Sequence, residues 1–418
     1  MKNIISILNH VLDEIQPDKN YEKEIFSKLD SIIKKINQNQ KGIKAILGGS
    51  GAKRTWLKTF DADIFALFDY KKYENKNDEL PDILEKLLKK KFKKISRLHG
   101  SRDYFQIKDG NFTFEIVPIL KINKSSEAKN ITDVSPLHSR WVAKHSNLAN
   151  EMRLTKQFCK AQNLYGAESH IRGFSGYVCE ILTVNYGSFF NLIKNSAKWH
   201  DKVVVDVEKY YKGKDVFHIM NLSKLISPLI VIDPVQKDRN ASAALSTEKF
   251  EQFKKSAKEF IRNPSKNFFA KKNLGNLMLS LKKKNMQLIG IKARPLEGKI
   301  DVVGSKLSKI YDFVLQEIDK KGFQLIKSDW DFKEEEANFY FLFGAKPLPK
   351  ELKIEGPPIS LANHVINFKK IHKNTFQKSG KIFAVEQRKF KSPWDLLKKL
   401  VNDGYMKERA KAIKLRFL

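Results

Sequence analysis

Apolar residues recur every three or four positions at the start of the chain, at Ile4, Ile5, Leu8, Val11, Leu12 and Ile15. That is the spacing of one face of a helix. Pro17 and Asp18 interrupt it and open a second helix that runs to about Ile36. Shorter apolar runs at Ile43–Leu47, Ala62–Phe68 and Phe112–Leu120 read as strands, with a lysine-rich helix over 83–94 between the last two. From 150 to 195 the period is helical again, and Ser175 is placed to cap a helix carrying Val178, Ile181, Leu182 and Phe189 on one face. A short apolar run at 229–232 leads through DPVQKDRNASAALS into a helix with Phe250, Phe253, Ala257, Phe260 and Ile261 on one side. The last third mixes periods. Residues 286–292, 323–330 and 338–343 read as strands, and Leu307, Ile310, Tyr311, Val314, Leu315 and Ile318 form a helical stripe. Gly356-Pro357-Pro358 marks a loop, and Ser392-Pro393-Trp394-Asp395 a capping box. The expected fold class is α+β and multidomain: a mixed module over 1–140, a helical module over 141–265 and a mixed module over 266–418.

At 418 residues the chain exceeds one ordinary core, which agrees with that division. Charge narrows the class of partner: 79 basic against 47 acidic residues give +32, which favours polyanions such as a phosphate backbone. Only 12 of the 79 are arginine, so the arginines carry more information than the lysines. His10, Asp13 and Glu14 interrupt the first apolar stretch before a signal-peptide core forms, and no run reaches membrane-spanning length. A cytoplasmic protein with no membrane partner is expected. Cys159 and Cys179 form no CxxC pair, which argues against structural zinc and a disulfide framework.

Candidate chemistry concentrates in GGSGAKRTWLKTFDADIF, residues 48–65. Glycines at 48, 49 and 51 let backbone N–H groups approach an anion, Ser50 adds a hydroxyl, and Lys53 follows one helical turn later. Neither a GxxxxGK[ST] loop nor a dinucleotide fingerprint is present. Asp61 and Asp63 lie two apart before an apolar run, so a strand projects both carboxylates from one face, able to share divalent cations. Glu115, inside FTFEIVP, is the candidate third carboxylate, because an acid within an apolar strand costs free energy unless paired or bound to metal. The plainer reading is an acidic turn at 61–63 with Glu115 on a solvent face.

Gly49-Ser50, Asp61-x-Asp63 and a later strand acid resemble the nucleotidyltransferase superfamily that includes DNA polymerase β. More closely, GSGAKRTWL, FEIVP, SPLHSRWV, LYGAESHIRGFSGYVCEILTVNYGSF and DPVQKDRNASAALS resemble, in that order, the archaeal class I CCA-adding enzymes. The resemblance implies a polymerase β-like head, a helical neck, and a mixed α/β body and tail that bind tRNA. It implies addition of C, C and A to the tRNA 3′ end from CTP and ATP by two-metal transfer with release of pyrophosphate, and a homodimer as the assembly; Mg²⁺ is the default metal for oxygen ligands with a triphosphate. On this likeness Asp61, Asp63 and Glu115 are the metal-binding and catalytic acids, Glu115 standing where the family has aspartate. Ser50, Lys53, Lys156 and Tyr165 match triphosphate contacts, Lys53 replacing an arginine and so a bidentate fork with a point charge. His138 matches a nucleotide contact and Arg239 an arginine that reads the incoming base. Arg172, Tyr177 and Tyr186 lie in the matching block without an assigned role. The alternatives are a poly(A) polymerase-like nucleotidyltransferase and a catalytically impaired RNA-binding relative.

Overall fold

The computed structural model describes residues 2–58, 62–271, 273–298, 300–333, 335–344, 349 and 351–418. The chain divides into two compact units, Met1–Lys272 and Asn273–Leu418. The first contains two large hydrophobic cores, one around a sheet and one around helices.

The sheet core begins with the helix Lys19–Asn37, whose first turn is closed by Asp18 accepting from the N–H groups of Asn20 and Tyr21. Ile25, Leu29, Ile32 and Ile36 recur on its buried face, and full burial of such side chains contributes roughly 1.5–3 kcal/mol each. They pack on a five-stranded sheet in the order Ile43–Leu47, Ala62–Phe68, Phe112–Leu120, Tyr104–Asp109, Ser96–Leu98. The last two strands escape the sequence reading because they are short and flanked by charge. Ala62–Phe68 and Phe112–Leu120 run parallel; the other neighbours are antiparallel. The lysine-rich helix is Leu80–Lys91, with Pro81 in its first turn and extended Phe92 ending it. Ala62, Ile64, Ala66, Phe114 and Ile116 enter this core. Strand alternation therefore turns Asp63 and Glu115 to the opposite face, where the register pairs one directly with the other.

The helical core is built from the helices Ala149–Ala161, Gly176–Tyr186, Phe189–Ser196 and Thr247–Arg262. It also takes Val11 and Ile15 from the helix Lys2–Ile15, so the first helix belongs to this core and not to the sheet beside it in sequence. Ser175 caps its helix as expected, accepting from the N–H of Val178 at 3.1 Å. That helix ends at Gly187 in a left-handed conformation (φ +76°), and Phe189 starts the next helix behind the Ser188 cap, so it does not share a face with Val178. Phe250, Phe253, Ala257 and Phe260 are buried, whereas Ile261 turns outward. The region is less purely helical than expected. A three-stranded sheet of Val203–Val205, Leu229–Asp233 and Gln236–Asn240 sits within it, and the second of these strands is buried throughout.

In the second unit an antiparallel sheet runs in the order Leu325–Lys333, Glu336–Phe343, Gln287–Pro295, Ala410–Phe417. The helix Ile300–Lys320 packs Leu307, Ile310, Val314 and Ile318 into its core, while Tyr311 and Leu315 are half-buried. Ser392 caps the helix Pro393–Leu400 as its sequence foretells. Gly356-Pro357-Pro358 is not a loop. It closes the strand Glu351–Pro358, and the pairing with Lys381–Gln387 shifts register between Glu355 and Pro358, where prolines have no N–H to donate. Among the described residues no helix is long and apolar enough to cross a membrane.

Candidate active site

A cleft of about 320 Å³ lies in the first unit between the two cores. Ser50, Lys53, Asp63, Glu115, Lys156 and Tyr165, drawn from five separate stretches of sequence, all line it. Asp61 lies outside the described residues. Among the described residues no group of three or more His, Cys, Asp or Glu side chains has metal-holding geometry.

One wall is the exposed face of the sheet. Asp63 and Glu115 stand side by side there, and Gln106 Nε2 donates to Glu115 Oε1 at 2.8 Å from the next strand. Gly49 opens the short helix Gly49–Lys53 with φ +49°, and a Cβ placed on it would lie 1.6 Å from Asp63 Oδ2. Glycine carries that turn without strain, and its missing Cβ is what lets the carboxylate come so near. The N–H of Gly48 donates to the Asp63 carbonyl at 2.8 Å, which fixes the same approach.

The facing wall is cationic. Lys53 Nζ donates to Glu180 Oε2 at 2.9 Å, and Lys156 Nζ to Glu180 Oε1 at 2.7 Å. Thr55 adds its hydroxyl to Glu180 Oε1 at 2.6 Å and receives Lys156 on both that hydroxyl (2.8 Å) and its carbonyl (3.2 Å). Glu180 is fully buried. Burial alone would raise its pKa, but Lys156 and Lys53 outweigh that and hold it down to about 2, so the carboxylate stays ionised. Burial pushes the Lys156 pKa down, opposed chiefly by Glu180. Arg153 braces this wall by donating to the carbonyls of Arg54 (2.8 Å) and Trp56 (2.9 Å). Lys160 also lines the cleft, its Nζ 5.0 Å from the Tyr165 ring centre. Burial raises the Tyr165 pKa, which keeps its hydroxyl protonated.

His138 and Arg239 do not line this cleft; they meet beside it on buried Asp233. Arg239 donates to Asp233 Oδ2 at 2.6 Å, His138 Nε2 lies 3.1 Å from the same oxygen, and the Tyr177 hydroxyl donates to Oδ1 at 3.2 Å. Tyr177 joins the two places, because it lines the cleft, has Lys53 Nζ 5.3 Å from its ring centre and carries the His138 ring at 4.1 Å. Burial lowers the His138 pKa, with Asp233 opposing it in part. A neutral imidazole donating through Nε2 to Asp233 leaves Nδ1 as an acceptor.

The sequence reading missed Thr55, Lys160, Glu180 and Asp233 as parts of the site. Glu180 carried a usable signal: it interrupts the apolar run around Val178 and Ile181, the same pattern that singled out Glu115. Asp233 ends a buried strand and looks like the start of a turn.

Residues 29–131 match the nucleotidyltransferase domain family, 150–270 the second domain of tRNA nucleotidyltransferases and 298–417 the C-terminal domain of CCA-adding enzymes. The chain is 33% identical over 390 residues to the CCA-adding enzyme of Nanoarchaeum equitans, spanning 92% of this chain and 94% of that one. It is 32% identical over 417 residues to the CCA-adding enzyme of Methanocaldococcus jannaschii, spanning 96% and 91%. Among solved structures, the Cid1 poly(U) polymerase superposes with a TM-score of 0.53 at 12% identity, over 65% of this chain and 99% of its own. A cytoplasmic RNA terminal U-transferase gives 0.52 at the same identity and coverage, a likeness that bears on fold alone.

Proposed function

The chain belongs to the CCA-adding enzymes, with a polymerase β-like nucleotidyltransferase fold, and from that premise we propose that it builds the terminal C, C and A of tRNA from CTP and ATP in the cleft just described. The observation that carries the residue-level reading is the cleft's polarity, with Asp63 and Glu115 in register on one wall and Lys53 and Lys156 on the other.

The reaction joins the tRNA 3′-oxygen to the α-phosphate of the nucleotide and breaks the bond to pyrophosphate, which leaves. Lys53, Lys156 and Ser50 hold the triphosphate, with the hydroxyl of Tyr165 beside them. Carboxylate oxygens suit a hard divalent cation, so Asp63 and Glu115, joined by Asp61, would hold Mg²⁺. When bound, that metal supplies positive charge against the triphosphate and lowers the pKa of the attacking hydroxyl. His138 and Arg239, fixed by Asp233, offer a hydrogen-bond acceptor and a donor fork toward the incoming base. The net charge of +32 favours the acceptor arm as a polyanion. A homodimer in the cytoplasm completes the proposal, on the family likeness.

Labelled CTP and ATP should be offered, separately and together, to tRNA transcripts ending before CCA, after C and after CC. Growth by C, C, A followed by arrest is the expected result. Unlimited A addition, or none at all with tRNA still bound, would overturn it. Asp63→Ala should remove incorporation and leave tRNA affinity nearly intact; unchanged incorporation would refute the metal assignment.

A further inference from the structure

Glu180 sits between buried Cys179 and Ile181 in the middle of the helix Gly176–Tyr186, where an ionised side chain has no water to solvate it. Its two oxygens are divided between two parts of the fold. Oε2 takes Lys53 from the short helix beside the sheet, and Oε1 takes Lys156 from the helical core together with the Thr55 hydroxyl. The lysine side chains are only 13% and 5% exposed, yet both line the cleft that Asp63 and Glu115 share. Two cations this close repel each other unless a counter-charge lies between them.

We propose that Glu180 is a positioning residue that holds Lys53 and Lys156 side by side, both charged, so that together they receive the triphosphate of the incoming nucleotide. The inference rests on the reading of the cleft as the nucleotide site. It differs from a plain strut between the two cores in one respect: a strut has no reason to alter the pH at which nucleotide binding fails.

The groups around the Lys156 ammonium define the expectation. Glu180 and Cys179 face it from one helix, Lys53 and Thr55 from the segment after the sheet's first strand, Lys160 from its own next turn and Tyr165 from the loop beyond. Asp63 and Glu115 line the opposite wall. Burial and Lys53 both favour loss of the Lys156 proton, and Glu180 is the main opposing charge. With Glu180→Gln the main opposition to those two is gone. Lys156 then deprotonates at lower pH, and the triphosphate loses one of its charges there.

The test uses the full chain. The CTP KM and kcat are measured on tRNA lacking CCA, and inorganic tripolyphosphate binding is followed by calorimetry, from about pH 7 to about pH 9. The ratio of the E180Q KM to the unsubstituted KM should rise with pH by about tenfold across that range, because loss of one proton changes affinity by at most about tenfold per pH unit and acts over about one of the two units. Tripolyphosphate affinity should fall in parallel while tRNA affinity stays level. Glu180→Asp, which keeps the charge, should restore most of the original profile. Parallel KM profiles for E180Q and the unsubstituted protein, with only thermal stability reduced, would reduce Glu180 to a strut and overturn the proposal. Should E180Q fail to fold, Lys156→Gln/Glu180→Gln removes both charges at once. That variant should show a raised CTP KM with no alkaline rise, and an unchanged KM would be equally damaging. Failure of the unsubstituted protein to incorporate CTP would instead overturn the nucleotide-site reading from which the proposal starts.

Discussion

Gly49→Ala isolates the contact between the glycine turn and the carboxylate behind it. The new Cβ would start 1.6 Å from Asp63 Oδ2 and 2.5 Å from its Cγ, while real Cβ atoms essentially never come under 3.0 Å. Reaching even that limit moves one partner by at least about 1.4 Å, the difference between those two distances. The backbone at φ +49° adds a penalty of roughly 1–2 kcal/mol for alanine. That alone lowers the melting temperature by about 2–4 °C per kcal/mol in a unit of this size. Misplacement of a reacting group by about 1 Å can lower the rate by the order of 10²-fold, and incorporation of labelled CTP should fall by at least that much. Gly110 is the control. It turns the hairpin between Tyr104–Asp109 and Phe112–Leu120 at φ +61°, with nothing within 4 Å of an added Cβ. Gly110→Ala should therefore melt lower by a similar margin and incorporate CTP normally. Full activity in Gly49→Ala, or equal losses in both variants, would refute the claim that Asp63 is held by this turn.

Glu115→Gln should remove CTP incorporation, whereas Glu115→Asp should keep much of it despite losing the 2.8 Å bond from Gln106, because the charge on the sheet face survives; an active Gln variant would count against the metal role. His138 has a folded-state pKa below its unfolded value, so the stability tied to its neutral form is present above the unfolded pKa and is lost as pH falls. Melting curves of the unsubstituted protein should thus drop more steeply than those of His138→Gln below about pH 6.5, and identical slopes would contradict the assignment. Asp133 is fully buried, pairs with Arg102 and accepts from the N–H groups of Leu120 and Asn130 at 2.9 Å each. Asp133→Ala should destabilise the first unit by about 3–5 kcal/mol in denaturant melts, and a change below 1 kcal/mol would mean the pair is solvated.

Much of the cleft was legible because strand and helix periods leave marks on sequence. Period two set Asp61 and Asp63 on one strand face, the apolar run around Glu115 marked that acid out, and the glycines of 48–51 announced a close backbone approach. What the sequence withheld was the partner of each charge. Lys53 and Lys156 match triphosphate contacts on the family likeness, and nothing local says that both end on Glu180, more than twenty residues beyond the nearer of them. The same limit explains Asp233, whose role appears only when His138, Tyr177 and Arg239 are brought to it by three different elements. Elements escaped notice where tertiary pairing overrode local pattern. Ser96–Leu98 is a strand because Tyr104–Asp109 supplies its ladder, and Glu351–Pro358 remains one despite two prolines because Lys381–Gln387 pairs with its earlier residues.

The placement of the helix Lys2–Ile15 has a consequence for how the chain acquires its shape during translation. Val11 and Ile15 emerge first but belong to a core whose other members include Trp141, Met152 and Phe158. The sheet core draws its buried residues from Ile25 to Leu137, so it can close while the opening helix still waits for its partners. A nascent chain that has emerged to about residue 140 would thus display a folded sheet, an uncovered amphipathic helix and no Lys156 or Glu180. Vectorial synthesis would deliver the carboxylate wall and Lys53 well before Lys156 and Glu180, and the proposed nucleotide cleft would be completed in a single late step, together with the docking of the helix made first.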